Sequence, residues 1–253
     1  MTNLSSLAHY LPDFLFILLR VGVFFSVVPF FGSGNFPPTF KIGVAVAVAM
    51  VLTPVVQVRV ADGALPLVVM REVMFSVTLA LAVRFVFLAV EAAGQTISNA
   101  MGLSIASVFN PELGQSTEIA RFQGIVAMLL FLAVDGHHDL IYVFVRSYEI
   151  VPIGRLNTDD LLRQAISLGG KMFVLAVKLA APVVVGLVVT NFLLGFLYKA
   201  APQMNIFFVS FALYIAVGFL IMLLSLPVFM HVMEGSFGGI RDNMLRTMTA
   251  AGR

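Results

Sequence analysis

Five long apolar runs constrain this chain more than any other feature of its sequence. A transmembrane helix needs about 20 mostly apolar residues, with a range of about 17–25. The runs occupy residues 11–31, 42–58, 73–93, 172–198 and 206–230. Charged residues make up 11% of the chain and apolar residues 60%, whereas a soluble domain has about 25% and about 45–50%. The sequence therefore predicts an all-α, multi-pass membrane protein.

Prolines and two shorter apolar segments indicate how the helices are arranged. We expect Pro182 and Pro227 to kink or end the helices that contain them. The segments 122–134 and 140–151 are too short to span a bilayer, and a polar turn lies between them. Because segments of this length are typically buried or re-entrant, we interpret them as a partial-depth helical hairpin. We expect residues 1–253 to form a single domain with long, kinked helices.

A separate short helix is predicted before the fourth run. Residues 157–160 read Asn-Thr-Asp-Asp, which is typical of a helix start because Asn caps and aspartates favour the positive end of the helix dipole. Apolar residues then recur on one side as far as Leu168. The pattern predicts a short amphipathic helix.

Several classes of chemistry find no support in the sequence. The chain has no cysteine, which excludes disulfides, thiol chemistry and cysteine-based metal sites. Its charges are scattered, so nucleic-acid binding has no electrostatic footprint. Nothing resembles a nucleophile with its base, a phosphate loop or a paired-carboxylate site. We therefore expect no enzymatic activity, no catalytic residues, no metal and no cofactor.

A set of polar residues follows one face of the third run and its extension. Arg84, Glu91, Gln95 and Ser98 are seven, four and three residues apart, which places them on one side of a helix. A charge inside a span costs at least about 2.5–3.5 kcal/mol and usually faces a partner or a cavity. We favour a polar stripe that faces a subunit seam or an aqueous lumen. The alternative is an internal ion pair that only holds helices together.

Other polar residues in the apolar runs have simpler expectations. Arg20 lies deep in the first run, so we expect it to meet an acid or a backbone carbonyl. Lys178 is expected to extend its ammonium group towards the membrane surface. Residues 135–139 read Asp-Gly-His-His-Asp, which suggests a metal site or proton relay. Adjacent histidines point to different faces of a helix, however, and we favour a solvated turn.

The segment 101–116 is apolar at first and then turn-like, and it is too irregular to span a membrane. Irregular backbone at membrane depth is tolerated only inside protein or beside a water-filled cavity. Three bulky residues recur every four positions and form one apolar face, which is suited to a seal around a conduit. An ordinary connecting loop is an equal alternative on these grounds. The positions assigned to this segment are Met101, Ile105, Phe109, Asn110, Pro111 and Gly114.

Two sequence strings are specific enough to indicate a family. One is Met-Gly-Leu-Ser at 101–104, which precedes Asn110-Pro111. The other is Ala-Pro-Gln-Met-Asn-Ile-Phe at 201–207. With Leu19-Arg20 and Gly136-His137 as further matches, the chain resembles the FliR family of flagellar biosynthesis, which is homologous to the SctT subunit of virulence-associated type III secretion. The motif residues we assign are Ala201, Pro202, Gln203, Met204 and Asn205.

The resemblance implies a role as a non-enzymatic subunit of the type III protein export gate. FliR-like subunits lie in the bacterial inner membrane at the flagellar basal body, joined by FliP-like, FliQ-like and FlhB-like subunits. The gate passes unfolded rod, hook and filament subunits, and the loop at 101–116 would plug the resting conduit. The alternatives are the SctT subunit of an injectisome, a scaffold with no conduit role, and a proton-coupled small-molecule transporter using Arg84, Glu91 and the histidines.

Overall fold

The computed structural model of the chain describes residues 4–29, 37–56, 64–103, 118–200 and 206–252. Within these ranges the protein has eight helices and no strand, which confirms the predicted all-α class. The helices are α1 (Leu4–Val27), α2 (Pro38–Leu52), α3 (Leu65–Ala100), α4 (Glu118–Ala133), α5 (Gly136–Ile150), α6 (Thr158–Ala200), α7 (Ile206–Leu224) and α8 (Leu226–Ala251).

Among the described residues, α3 and most of α6 are each long and apolar enough to cross a membrane. The count rises to four if α4 with α5, and α7 with α8, are each taken as one bent span. Three of the five predicted runs are therefore not counted as separate spans. α2 has only 15 residues, the last run is divided, and α1 falls partly outside the residues whose side chains the structure describes. The chain bends by 54° at Ser225, just before Pro227, as the proline predicts.

The longest helix differs from the sequence prediction. α6 runs without interruption for 43 residues, so the expected short amphipathic helix is not a separate element. It continues through Gly169-Gly170 and through Pro182, since helix propensity is a weak preference that tertiary context overrides. Its start is as predicted, because the Asp160 N–H donates to Asn157 Oδ1 at 3.3 Å.

Two compact units are formed by separate stretches of the chain. The first consists of Met1–Phe85, Asp135–Gly170 and Gly238–Arg253, and the second of Val86–Val134 and Lys171–Phe237. The single domain over the whole chain therefore stays a prediction.

Each unit has its own aromatic core. In the first unit, the rings of Phe24 and Phe144 lie 4.6 Å apart. In the second, Phe87, Phe131 and Phe237 form a cluster with ring centroids 5.3–5.8 Å apart. Contacts between aromatic rings at these distances add to the free energy gained from burying apolar surface.

Much apolar surface on α6 stays uncovered by the chain itself. Phe173 is 68% exposed, and Phe192 and Phe196 are each 71% exposed. Such a surface is typical of a protein whose outer face meets lipid or another apolar subunit. Because the family that the chain resembles forms a multi-subunit assembly, we expect many of these faces to meet other subunits.

Candidate functional site

Arg20 is the centre of the most elaborate polar cluster in the first unit. Its side chain is fully buried, and it pairs with Glu72, which is 2% exposed. Arg20 Nη2 donates to Glu72 Oε1 at 2.6 Å, and Nε donates to Oε2 at 3.2 Å. This two-pronged geometry is the strongest form of the arginine–carboxylate interaction.

The remaining donors and the flat faces of the guanidinium group are also used. Arg20 Nη1 donates to Ser147 Oγ and Nη2 to the Val151 carbonyl, each at 3.2 Å. The guanidinium carbon lies 4.8 Å from the ring centre of Phe75 and 4.4 Å from that of Tyr148, distances at which cation–π attraction acts. The cluster therefore ties together α1, α3 and the end of α5.

The expectation that Arg20 meets an acid or a carbonyl is confirmed on both counts, but its acid was missed. Glu72 directly precedes the third apolar run and follows Arg71, which makes it resemble a solvated residue at a helix end. The sequence did contain a pattern that places Glu72 inside the protein. Glu72 lies three and seven residues before the apolar residues Phe75 and Leu79, which is the spacing of one helix face. Both of these are buried, so Glu72 shares their inward face.

The polar stripe lies on a continuous helix, as its spacing requires. Arg84, Glu91 and Gln95 are half-buried, whereas Ser98 is fully buried. The Ser98 hydroxyl oxygen has no hydrogen-bond partner among the residues that the structure describes. Within the same residues, no salt bridge involves Arg84 or Glu91. The alternative of an internal ion pair therefore gains no support, and a stripe that faces other groups stays a prediction.

Only the root of the candidate plug loop belongs to the described part of the chain. α3 ends in a Schellman motif: the N–H of Gly102 donates to the Asn99 carbonyl and that of Leu103 to the Ser98 carbonyl, each at 3.0 Å. Gly102 has a φ of 80°, the left-handed conformation that this motif requires and glycine adopts readily. Met101 is fully buried.

The other loop and motif positions fall outside the described ranges, so their predicted roles stay predictions. These positions are Ile105, Phe109, Asn110, Pro111, Gly114, Ala201, Pro202, Gln203, Met204 and Asn205.

The histidine pair is arranged differently from the prediction. The ring centroids of His137 and His138 lie 4.1 Å apart, with the ring planes tilted by 36°, so the two side chains do not point to separate faces. Both lie in the first turn of α5, which begins at Gly136, where neighbouring side chains can turn towards each other. Possible ligand atoms of Asp135 and the two histidines lie within 4.8 Å of one another. The Asp135 and His138 side chains are 74% and 72% exposed, as the interpretation of a solvated turn requires.

Lys178 is the single charge in the apolar part of α6. Its side chain is exposed, as expected for a lysine that extends towards a polar region. It also lines a cavity of about 20 Å³ with Gln123, Pro182 and Ser225, which is room for about one water molecule.

Comparison with known proteins places these features in a family. Residues 11–240 match the family model described as bacterial export proteins, family 1. The chain is 28% identical to the flagellar biosynthetic protein FliR of Bacillus subtilis (strain 168), over 98% of this chain and 99% of that protein. FliR of Caulobacter vibrioides is 32% identical over 83% and 86%, and FliR of Escherichia coli (strain K12) is 30% identical over 88% and 87%.

Proposed function

Because this chain belongs to the bacterial export proteins of family 1, which include the flagellar biosynthetic protein FliR, we propose that it is a subunit of the flagellar type III export gate. In this proposal it has no enzymatic role. It lies in the inner membrane at the basal body and assembles with FliP-like, FliQ-like and FlhB-like subunits. The observation that carries the proposal is the match over nearly the whole chain, joined to helices able to cross a membrane.

The uncovered apolar surface supports a role as one subunit among several. α7 has the highest average hydrophobicity of the described helices, and Phe208 and Leu224 at its two ends are 70% and 72% exposed. Burial of apolar surface against a partner contributes roughly 25 cal/mol per Å². Packing against other gate subunits would therefore stabilise this protein in the assembly.

The loop at 101–116 is proposed as the plug that closes the resting conduit. A conduit wide enough for an unfolded polypeptide would otherwise let ions through and dissipate the proton gradient. The support is that Met101, the residue directly after α3, is buried, so the loop leaves from packed protein, where irregular backbone is tolerated. The apolar face that Met101 begins continues in the sequence at Ile105 and Phe109.

A paired substitution tests the plug. We expect Ile105→Asn with Phe109→Asn to raise ion leakage through the assembled gate, because polar side chains allow water into an apolar constriction. Val55→Asn is the matched control, since Val55 is 71% exposed in the turn after α2. Leakage would be measured in cells with a membrane-potential dye. Equal potentials in the paired variant and the control, with the gate intact, would refute the plug.

The polar stripe is proposed to face the conduit or a subunit seam. Replacing Glu91 with Gln should then alter export or assembly without altering the fold of the free chain, because Glu91 makes no salt bridge to any described residue. A transporter that uses the stripe would instead move a small solute after reconstitution without partners.

Co-purification tests the proposed assembly directly. The chain, extracted from membranes in mild detergent, should carry FliP-like and FliQ-like subunits with it. A chain that elutes alone would contradict the proposal. Deletion of the gene should abolish motility if the system is flagellar, whereas loss of secreted virulence proteins with normal motility would assign the chain to an injectisome.

A further inference from the structure

We propose that the small cavity lined by α4, α6 and the α7–α8 bend binds one water molecule, which joins these helices by donating hydrogen bonds to oxygen atoms that face it. The cavity lies wholly within the second compact unit. The inference goes beyond the proposed export function and does not depend on it, because it concerns a binding site inside this chain alone.

The first acceptor is the side-chain oxygen of Gln123. The other residues on the buried face of α4 are apolar, namely Ile119, Ala120, Ala127 and Phe131. Gln123 is 5% exposed, and its Oε1 atom has no hydrogen-bond partner among the residues that the structure describes. Because the large majority of buried polar atoms in folded proteins are hydrogen-bonded, this oxygen requires a donor from another source.

The second acceptor is the backbone carbonyl of Lys178. In an α-helix a carbonyl accepts from the N–H four residues later, but residue 182 is proline, which has no N–H. α6 nevertheless continues through this point. A helix carbonyl points along the axis towards the residue that would donate to it, and both Lys178 and Pro182 line the cavity. The carbonyl oxygen without its helical donor therefore borders the cavity.

The bend between α7 and α8 supplies a third acceptor, the Ser225 hydroxyl. Ser225 Oγ donates its single proton to the Met222 carbonyl at 3.1 Å, so its lone pairs remain able to accept from a water molecule. Both of these residues line the cavity. One acceptor thus reaches the cavity from each of three separate segments of the chain.

The size and charge of the cavity select the ligand. Its volume is about 20 Å³, and a single water molecule needs about 10–15 Å³, so a larger solute does not fit. Ordered buried waters typically have two to four polar partners, which this lining provides. A cation is disfavoured because the one charged residue in the lining, Lys178, is itself positive.

Radiolytic footprinting tests for the water directly. X-rays split water into hydroxyl radicals, which oxidise a neighbouring methionine to its sulfoxide even where bulk solvent is excluded. Met222 lines the cavity and is 8% exposed, whereas Met233 lies outside it and is 0% exposed. We expect the detergent-extracted full chain to be oxidised at Met222 above the level at Met233. Equal oxidation at the two methionines would overturn the proposal.

Two variants separate a bound water from bulk solvent that reaches Met222. Gln123→Leu removes the first acceptor, and Pro182→Ala gives the Lys178 carbonyl a donor from its own helix. Each should lower Met222 oxidation, and the two together should bring it to the level at Met233. Oxidation that stays unchanged in both variants would overturn the proposal. If Gln123→Leu does not accumulate, Pro182→Ala alone decides the test.

The direction of the stability change gives an independent test. If nothing donates to Gln123, its replacement by leucine removes an unsatisfied buried group and should raise the Tm. If a water donates to it, the same change breaks the bridge between α4 and α6. We therefore expect Gln123→Leu to melt about 2–4 °C below Gln164→Leu. Gln164 is the matched control because it is half-buried in α6 and lies outside the cavity. A Tm equal to or above that of the control would contradict the bound water.

Discussion

Replacing Glu72 with glutamine should strongly destabilise the first unit. The change keeps the shape of the side chain but removes its charge, leaving the fully buried Arg20 without its counter-ion. Two hydrogen bonds from Arg20, through Nη2 and Nε, lose their charged acceptor. At roughly 1.5 kcal/mol or more each, this amounts to about 3 kcal/mol, the lower end of the about 3–5 kcal/mol seen when a buried ion pair loses one partner.

The measurement follows thermal unfolding of the detergent-extracted chain. The chain has no tryptophan, so a fused fluorescent protein would report the size-exclusion peak that survives heating. A loss of about 3 kcal/mol corresponds to a fall in Tm of about 6–12 °C for a chain of this size. The matched control is Glu149→Gln, because Glu149 is 70% exposed and its nearest cation, Arg146, lies 3.8 Å away. Exposed pairs of this kind contribute little.

A double variant separates charge from packing. Arg20→Met with Glu72→Met removes both charges and keeps apolar volume, and such replacements are often neutral or stabilising. It should therefore melt well above Glu72→Gln. The reasoning is refuted if Glu72→Gln melts with the Glu149→Gln control, or if the double variant melts below the single one.

Three further changes probe local geometry, each measured by the same thermal unfolding. Gly94→Ala should lower the free energy of unfolding by about 1–3 kcal/mol, because a Cβ there would overlap the backbone of Ala120, while Gly124→Ala, with open space around it, should not. Gly154→Ala should cost about 1–3 kcal/mol, since its φ of 79° is left-handed; an unchanged Tm would contradict this. Asn157→Ala should cost about 0.5–2 kcal/mol by removing the cap of α6, and Asn157→Ser should recover most of it.

Apolar runs and proline positions were sufficient to predict the helical class and most helix locations, because helices in lipid must satisfy their own backbone. They were insufficient at 169–170, two glycines between the predicted short amphipathic helix and the fourth run, because α6 continues through them. Local propensity could not predict this, since packing of the whole helix outweighs the cost of a glycine, about 1 kcal/mol.

The sequence predicted a residue of the candidate site where that residue alone was unusual for its position. It did not predict contacts between residues that are far apart in the chain. Arg20 stood out because a charge in an apolar run needs a partner. Glu72 did not, since it lies 52 residues away and looks like the end of a span. The close approach of the His137 and His138 rings depends on the point at which α5 begins, and assigning residues to helix faces does not predict that point.

The buried Arg20 also has a consequence for the order in which the helices can pack during synthesis. When α1 emerges from the ribosome, Arg20 has no acid, and its hydroxyl and carbonyl acceptors at Ser147 and Val151 follow more than a hundred residues later. An unpaired arginine in a bilayer costs at least about 2.5–3.5 kcal/mol, so we expect α1 to pack stably only after α3 supplies Glu72. The Asn157 N–H then finds the Ala251 carbonyl only at the end of synthesis, which makes the first unit the last to be completed although it is the first to be begun.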